Sequence, residues 1–261
     1  MTSALEAFDA YTRRLVAWAR ADDRVLGVAL LGSGADRARV DEWSDHDIAV
    51  VAAADAVDEL RADVSWLPDA RDLTGVAREW HDGFKALFAD GRVIEFAVTD
   101  PESFASFPIT DAAIVYDAGV VASALEAART ATRTRVVPEP EVAAVVLLVE
   151  LLVGVGRVRR GEVLSGGDVI RSEAAQTLLD LLVARMPGVA HPDAFDGRRR
   201  IEAVLPRESA RLAEVLAGEP EDAARGILDL AEESVAPGWD GWPAAGAASL
   251  RLRLGWGPAV R

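Results

Sequence analysis

The stretch LLGSGADRARVDEWSDHDIAVV, Leu30 to Val51, decides how the first half of the chain reads. It begins inside an apolar run, VLGVALLGS (Val25 to Ser33), that fits a buried strand ending in a sharp turn. It ends in a second strand, HDIAVVAAA (His46 to Ala54). Side chains alternate along a strand, so Asp45, Asp47, Ala49 and Val51 share one face and His46, Ile48 and Val50 the other. The two carboxylates therefore project together, with Cα atoms roughly 7 Å apart. Like charges at that distance raise one another's pKa unless a cation neutralises them.

Outward from this pair the pattern is mixed. Ser3 to Asp22 carries Leu5, Phe8, Tyr11, Leu15 and Trp18 near helical spacing, behind a Ser3 cap with Glu6 three residues on. Val57 to Leu67 reads as the next helix. Gly83 to Asp100 reads as a hairpin turning at Asp90-Gly91, the pairing that supplies positive φ in a tight turn. In its second arm Ile94, Phe96 and Val98 form an apolar face, with Glu95 opposite. If both apolar faces turn toward the helices, Glu95 joins Asp45 and Asp47 in one cleft. A further strand at Ala112 to Ala118 and a short helix complete this half.

Pro138 and Pro140 break the pattern within Thr132 to Glu141. Beyond them the chain reads as helices: PEVAAVVLLVELLVGVGRVRRGE, DVIRSEAAQTLLDLLVARM, ESARLAEVLAG and PEDAARGILDLAEES. The expected fold class is α+β, a mixed sheet flanked by helices over residues 1–134 followed by an all-helical bundle over 138–235. A tail over 236–261 holds three of the seven tryptophans. Its rings are expected to pack back onto the body.

Composition removes several functional classes. With no cysteine there are no disulfides, thiolate metal sites or cysteine nucleophiles. A formal net charge of -15, and 28 basic residues of which only Lys85 is lysine, argue against a nucleic-acid partner. No apolar run is long enough for a membrane span and no signal-peptide pattern opens the chain, so a cytoplasmic protein is expected. Ser33 lacks the Gly-x-Ser-x-Gly context of a hydrolase nucleophile.

What remains is an oxygen-only site. Asp45, Asp47 and Glu95 suit Mg²⁺ or Mn²⁺. Two such ions, about 3.5–4 Å apart, can clamp a triphosphate and activate an attacking hydroxyl. The Gly32-Ser33-Gly34 turn lets backbone N–H groups and the Ser33 hydroxyl approach a phosphate. In the helical half Glu150 interrupts an apolar helix, with Arg157 two turns on along the same face. Glu150 either pairs with an arginine or faces solvent, or serves as a general base or an anchor for a substrate amine. Arg157 and Arg160 could meet the triphosphate or pyrophosphate.

The ordered set of strand, Gly-Ser turn, Asp-x-Asp strand and a later strand acid resembles the signature of the polymerase-β-like nucleotidyltransferase superfamily. The two-part layout, with RRGEVLSGGDVIRSEAAQTLLDLL and GRRRIEAVLP, resembles its antibiotic-modifying members, and the lincosamide branch more than the aminoglycoside branch. The resemblance implies transfer of a nucleoside monophosphate from a nucleoside triphosphate such as ATP to a hydroxyl of a small molecule, with pyrophosphate released. It implies Gly32, Ser33 and Arg37 at the triphosphate, Asp45 and Asp47 on the metal, and Glu95 as third ligand or base. Glu150 resembles the helical-domain glutamate of the kanamycin-modifying relatives. The partners implied are the triphosphate and a hydroxyl acceptor, an aminoglycoside or a lincosamide, in a monomer or homodimer. The alternatives are an antitoxin-like transferase acting on a protein and a non-catalytic nucleotide-binding relative. One position departs from the pattern: relatives often carry arginine after the Gly-Ser, where this chain has Gly34. A phosphate contact is then missing, or supplied by Arg37 or Arg39.

Overall fold

A computed structural model describes residues 3–132 and 136–257. Part of the expected linker, residues 133–135, and the last four residues of the expected tail lie outside the described residues. The chain is α+β and divides into two compact units, Met1–Arg133 and Thr134–Arg261.

The first unit opens with helix α1 (Ala4–Ala21). Ser3 Oγ accepts from the Glu6 N–H, and Glu6 Oε2 accepts from the Ser3 N–H at 2.8 Å, so two otherwise unsatisfied donors are closed reciprocally. The chain then alternates β1 (Val25–Leu31), β2 (His46–Ala52), α2 (Val57–Ala62), β3 (Leu73–Arg78), β4 (Phe84–Phe88), β5 (Val93–Thr99), α3 (Pro101–Phe104), β6 (Ala112–Asp117) and α4 (Val121–Ala131). The six strands form one sheet in the order β3-β4-β5-β2-β1-β6. Only β2 and β5 pair in parallel. The second expected helix is shorter than its apolar pattern, because the chain leaves helical geometry at Asp63.

The alternation along β2 divides the core. Ile48 and Val50 pack with Phe8, Tyr11 and Leu15 of α1 on one face of the sheet. Ala49 and Val51 pack with Phe104, Val121 and Leu125 on the other. Helix α4 has no side-chain cap on its own first residue. Asp117 supplies one from the end of β6, accepting from the N–H groups of Gly119, Val120, Val121 and Ala122 at 2.7–3.0 Å. Burial would raise the Asp117 pKa, but these donors outweigh it and lower the value.

The second unit is helical among its described residues: α5 (Pro140–Arg159), α6 (Val163–Asp168), a π-helical segment (Val169–Ala174), α7 (Ala175–Arg185), α8 (Pro206–Leu216), α9 (Pro220–Ser234) and α10 (Ala244–Leu254). Helices α5 and α6 touch backbone to backbone, since a Cβ on Gly166 would lie 2.6 Å from the Gly154 carbonyl oxygen. The tail is part of this core. Leu250, Leu254 and Trp256 are buried in it, Trp256 Nε1 donates to Glu221 at 3.0 Å, and Arg251 pairs with Glu232 at 2.6 Å and with Asp229. No helix among the described residues is long and apolar enough to cross a membrane.

Candidate active site

Strand β1 ends in a 3₁₀ turn over Gly32–Ala35. Gly32 has φ +55°, the left-handed region that glycine adopts without strain. Its N–H donates to the Asp111 carbonyl at 3.1 Å, and its carbonyl accepts from Arg39 Nη2 at 2.9 Å. The same Arg39 nitrogen donates to Asp111 Oδ2 at 2.9 Å, so the turn is tied to the start of β6 from both sides. A Cβ at Gly32 would sit 3.5 Å from Asp47 Oδ2. The Asp47 carboxylate therefore stands directly beside the turn.

Asp47 pairs with Glu95 in the parallel β2–β5 register, and Glu95 pairs with Lys85 in the antiparallel β4–β5 register. One row across three strands thus reads Asp47, Glu95, Lys85. Lys85 Nζ donates to Glu95 Oε1 at 3.0 Å and lies 3.6 Å from Glu79 Oε1. The Glu95 hydrogen bond raises the Lys85 pKa. Asp45 is half-buried immediately ahead of β2, which starts at His46.

His46 belongs to the opposite face. Its ring stacks on Phe8 with centroids 3.7 Å apart, and Nε2 lies 3.2 Å from the Phe8 carbonyl and 3.3 Å from Thr12 Oγ1. Burial pushes its pKa down to about 4, so at neutral pH it is an uncharged ring donating to that carbonyl. It fixes α1 over the strand that carries Asp47.

Gly34 now has a physical account. It is buried, and a Cβ there would lie 3.0 Å from Phe8 Cζ. The position faces α1, and a side chain added there would press on the Phe8 ring. Arg37 is ion-paired with Asp9 of α1, whereas Arg39 grips the turn. Of the two arginines, Arg39 is the one bonded to the Gly32 backbone. The side chain of Ser33 lies outside the described part of the structure.

Glu150 and Arg157 belong to the second unit. Thr177 on α7 hydrogen-bonds Glu150, whose Oε2 is buried without a partner. Burial raises the Glu150 pKa, Glu173 and Asp180 raise it further, and the Thr177 bond opposes them. Arg157 Nη1 reaches Ser165 Oγ at 3.4 Å.

The first unit brings together Gly32, Asp47 and Glu95, with Asp45 alongside, and adds Lys85 and Arg39. Lys85 was not open to detection by counting back from the turn: a two-residue Asp90-Gly91 turn sets Ala86 opposite Glu95, whereas the structure pairs Lys85 with Glu95, one residue out of that register. Among the described residues no three acidic or histidine side chains form a ready-made cage for a metal ion. Mg²⁺ does not require one, because it usually takes one or two protein carboxylates and completes its shell with water and phosphate oxygens. The in-register pair Asp47 and Glu95 fits that demand.

The chain is similar to an aminoglycoside 6-adenyltransferase from Bacillus subtilis. The superposition covers 99% of this chain and 94% of that one, with 13% sequence identity and a TM-score of 0.31. No family model matches the sequence, and no curated protein matches it.

Proposed function

We propose that the protein is a Mg²⁺-dependent nucleotidyltransferase that moves a nucleoside monophosphate from a nucleoside triphosphate to a hydroxyl of a small molecule. One observation carries the reading: Asp47 and Glu95 sit in register on adjacent strands, with the Asp47 carboxylate against the left-handed Gly32 turn. In this reading the carboxylate oxygens that would bind a metal lie beside a backbone that would take a phosphate. Asp45, Asp47 and Glu95 would hold the cation, which supplies neutralisation of the triphosphate charge. Gly32 and Ser33 would bind the phosphate chain, with Arg39 holding the turn in place. Arg37 is assigned to the same chain once it leaves Asp9, and Arg157 to the pyrophosphate.

The acceptor oxygen attacks the α-phosphorus, the bond to the bridging oxygen of pyrophosphate breaks, and the acceptor proton passes to a base. That base is assigned to Glu95 or Glu150, the latter with a carboxyl that burial raises. The acceptor class is an aminoglycoside or a lincosamide. A second reading, nucleotide binding without transfer, draws on the Lys85 bond that already neutralises Glu95.

The test is incubation with Mg²⁺, each α-labelled nucleoside triphosphate, and panels of both antibiotic classes and candidate proteins. Label on a small molecule that Asp47→Asn abolishes supports the proposal. Tight nucleotide binding with no labelled product supports the second reading, and label on a protein points to the antitoxin-like alternative. Transfer retained by Asp47→Asn removes the metal assignment.

A further inference from the structure

Lys85 lies between two carboxylates. It is the single lysine among 28 basic residues, and it stands in the row that carries Asp47 and Glu95. Its Nζ donates to Glu95 Oε1 at 3.0 Å and has Glu79 Oε1 at 3.6 Å. Glu79 is set in that position by its surroundings. Its N–H donates to the Gly83 carbonyl at 2.8 Å and closes the turn between β3 and β4. The Gly83 N–H donates to His81 Nδ1 at 3.2 Å, which leaves the proton of a neutral His81 on Nε2. Nε2 lies 3.2 Å from Glu79 Oε2 and donates to it, so Oε1 is the oxygen turned to Lys85. The residue facing Lys85 directly in the β3–β4 register is Ala77, whose methyl offers the ammonium no partner. Glu79, two residues on, is the acceptor on that side.

We infer that Lys85 is a displaceable counter-ion: it neutralises Glu95 while no divalent cation is bound, and passes to Glu79 when Asp47 and Glu95 take one. The inference rests on the proposed role of those two carboxylates. Asp47 and Glu95 are like charges directly opposite one another on neighbouring strands, a pairing that destabilises a sheet unless a positive charge offsets it. Lys85 supplies that charge from the far side of Glu95. Once Glu95 is engaged by a divalent cation, Lys85 loses the attraction that held it and is repelled. Glu79 then offers a carboxylate already within reach, so the lysine changes partner by rotating its stem and is not released to solvent. Lysine suits this task better than arginine. An ammonium is a compact point charge with rotatable donors, whereas a guanidinium is held through a planar two-bond fork. The chain uses arginine for every other such charge, and the exception falls where a cation has to let go.

The experiment is Mn²⁺ binding to the full chain without nucleotide, followed by the electron paramagnetic resonance signal of free Mn²⁺. Lys85→Met keeps the stem and removes the competitor, so the Mn²⁺ dissociation constant should fall about two- to fivefold, the range of a partly exposed ion pair. Glu79→Gln takes away the alternative partner and should raise the constant by a similar factor. In the Lys85→Met background Glu79→Gln should have little effect, because no ammonium is left to receive. An equal effect of Glu79→Gln in both backgrounds overturns the inference, since Glu79 would then act on the cation by its charge alone. Mn²⁺ binding that Asp47→Asn abolishes but that ignores Lys85 and Glu79 also overturns it, and leaves the metal reading standing. No Mn²⁺ bound by the wild type or by Lys85→Met overturns both together. Both side chains are partly exposed and both substitutions preserve length, so circular dichroism should be unchanged; Lys85→Gln repeats the test should Lys85→Met lose the fold.

Discussion

Replacing Gly32 by alanine tests the turn at the centre of the candidate site. A residue with a Cβ at φ +55° costs about 1–2 kcal/mol, because Cβ crowds the following carbonyl oxygen. Alanine restricts the unfolded chain and returns only about 0.4–1 kcal/mol of that. The added methyl meets Asp47 Oδ2 at 3.5 Å, an ordinary contact, so no steric clash enlarges the loss. The net expectation is about 1 kcal/mol of destabilisation, a fall in Tm of roughly 2–4 °C for a chain of this size. The functional effect should be larger than the stability effect. The methyl occupies the ground between the backbone and the carboxylate where a phosphate would approach. Nucleoside triphosphate affinity by calorimetry in the presence of Mg²⁺ should drop by at least about tenfold, or 1.4 kcal/mol. A Tm lowered as expected with unchanged nucleotide affinity would refute the turn as a phosphate site and leave its conformation correctly described. An unchanged Tm would refute the strain argument itself.

Three further outcomes follow from the packing and the charges. Gly34→Ala should lose about 1–3 kcal/mol in thermal or urea unfolding, because the Phe8 ring 3.0 Å away is held by its stack on His46; Gly34→Arg should lose more, and wild-type stability in either would overturn the packing account. Asp117→Ala should cost about 1–2 kcal/mol by removing the acceptor for the first N–H groups of α4, and since the folded pKa of Asp117 is depressed, its contribution should be complete above the ordinary carboxylate value of 3.8 and fade as pH falls through the folded value, with equal loss at pH 7 and at strongly acid pH counting against it. The Glu150 pKa is raised on folding, so the wild type should lose stability as pH climbs from 4.5 through the folded value while Glu150→Gln does not; melting curves of the two across that range should separate as pH rises, and parallel curves would contradict a strained carboxylate.

The parts of the fold legible in the sequence are those where one rule acts alone. Ser3 with Glu6, the strands around Ala49 and Phe96, and the Asp90-Gly91 hairpin each follow from local chemistry, and each stands in the structure. Strand β3 was not legible. It is an edge strand, exposed over most of its length and carrying Gly75, so neither alternation nor β-branched density marks it. The tail was expected to pack back onto the body, and Trp256 does; which residues receive it was not legible, because the contacts join residues far apart in sequence, Arg251 with Asp229 and Glu232, Trp256 with Glu221, and no local pattern encodes that.

The same distinction runs through the candidate site. Asp47 and Glu95 were visible as strand acids, but their register on adjacent parallel strands depends on β2 and β5 being neighbours, a fact of topology. Gly34 shows the cost of reading a position by analogy alone. Set against a pattern that often has arginine, it looks like a lost phosphate contact; set against Phe8, it is the residue that lets α1 close over β1 and hold His46 beneath the start of β2. Arg39, from beyond the turn, is bonded at once to the Gly32 carbonyl and to Asp111. Phe8 of α1 thus closes on the turn at Gly34, while Arg39 holds it at Gly32.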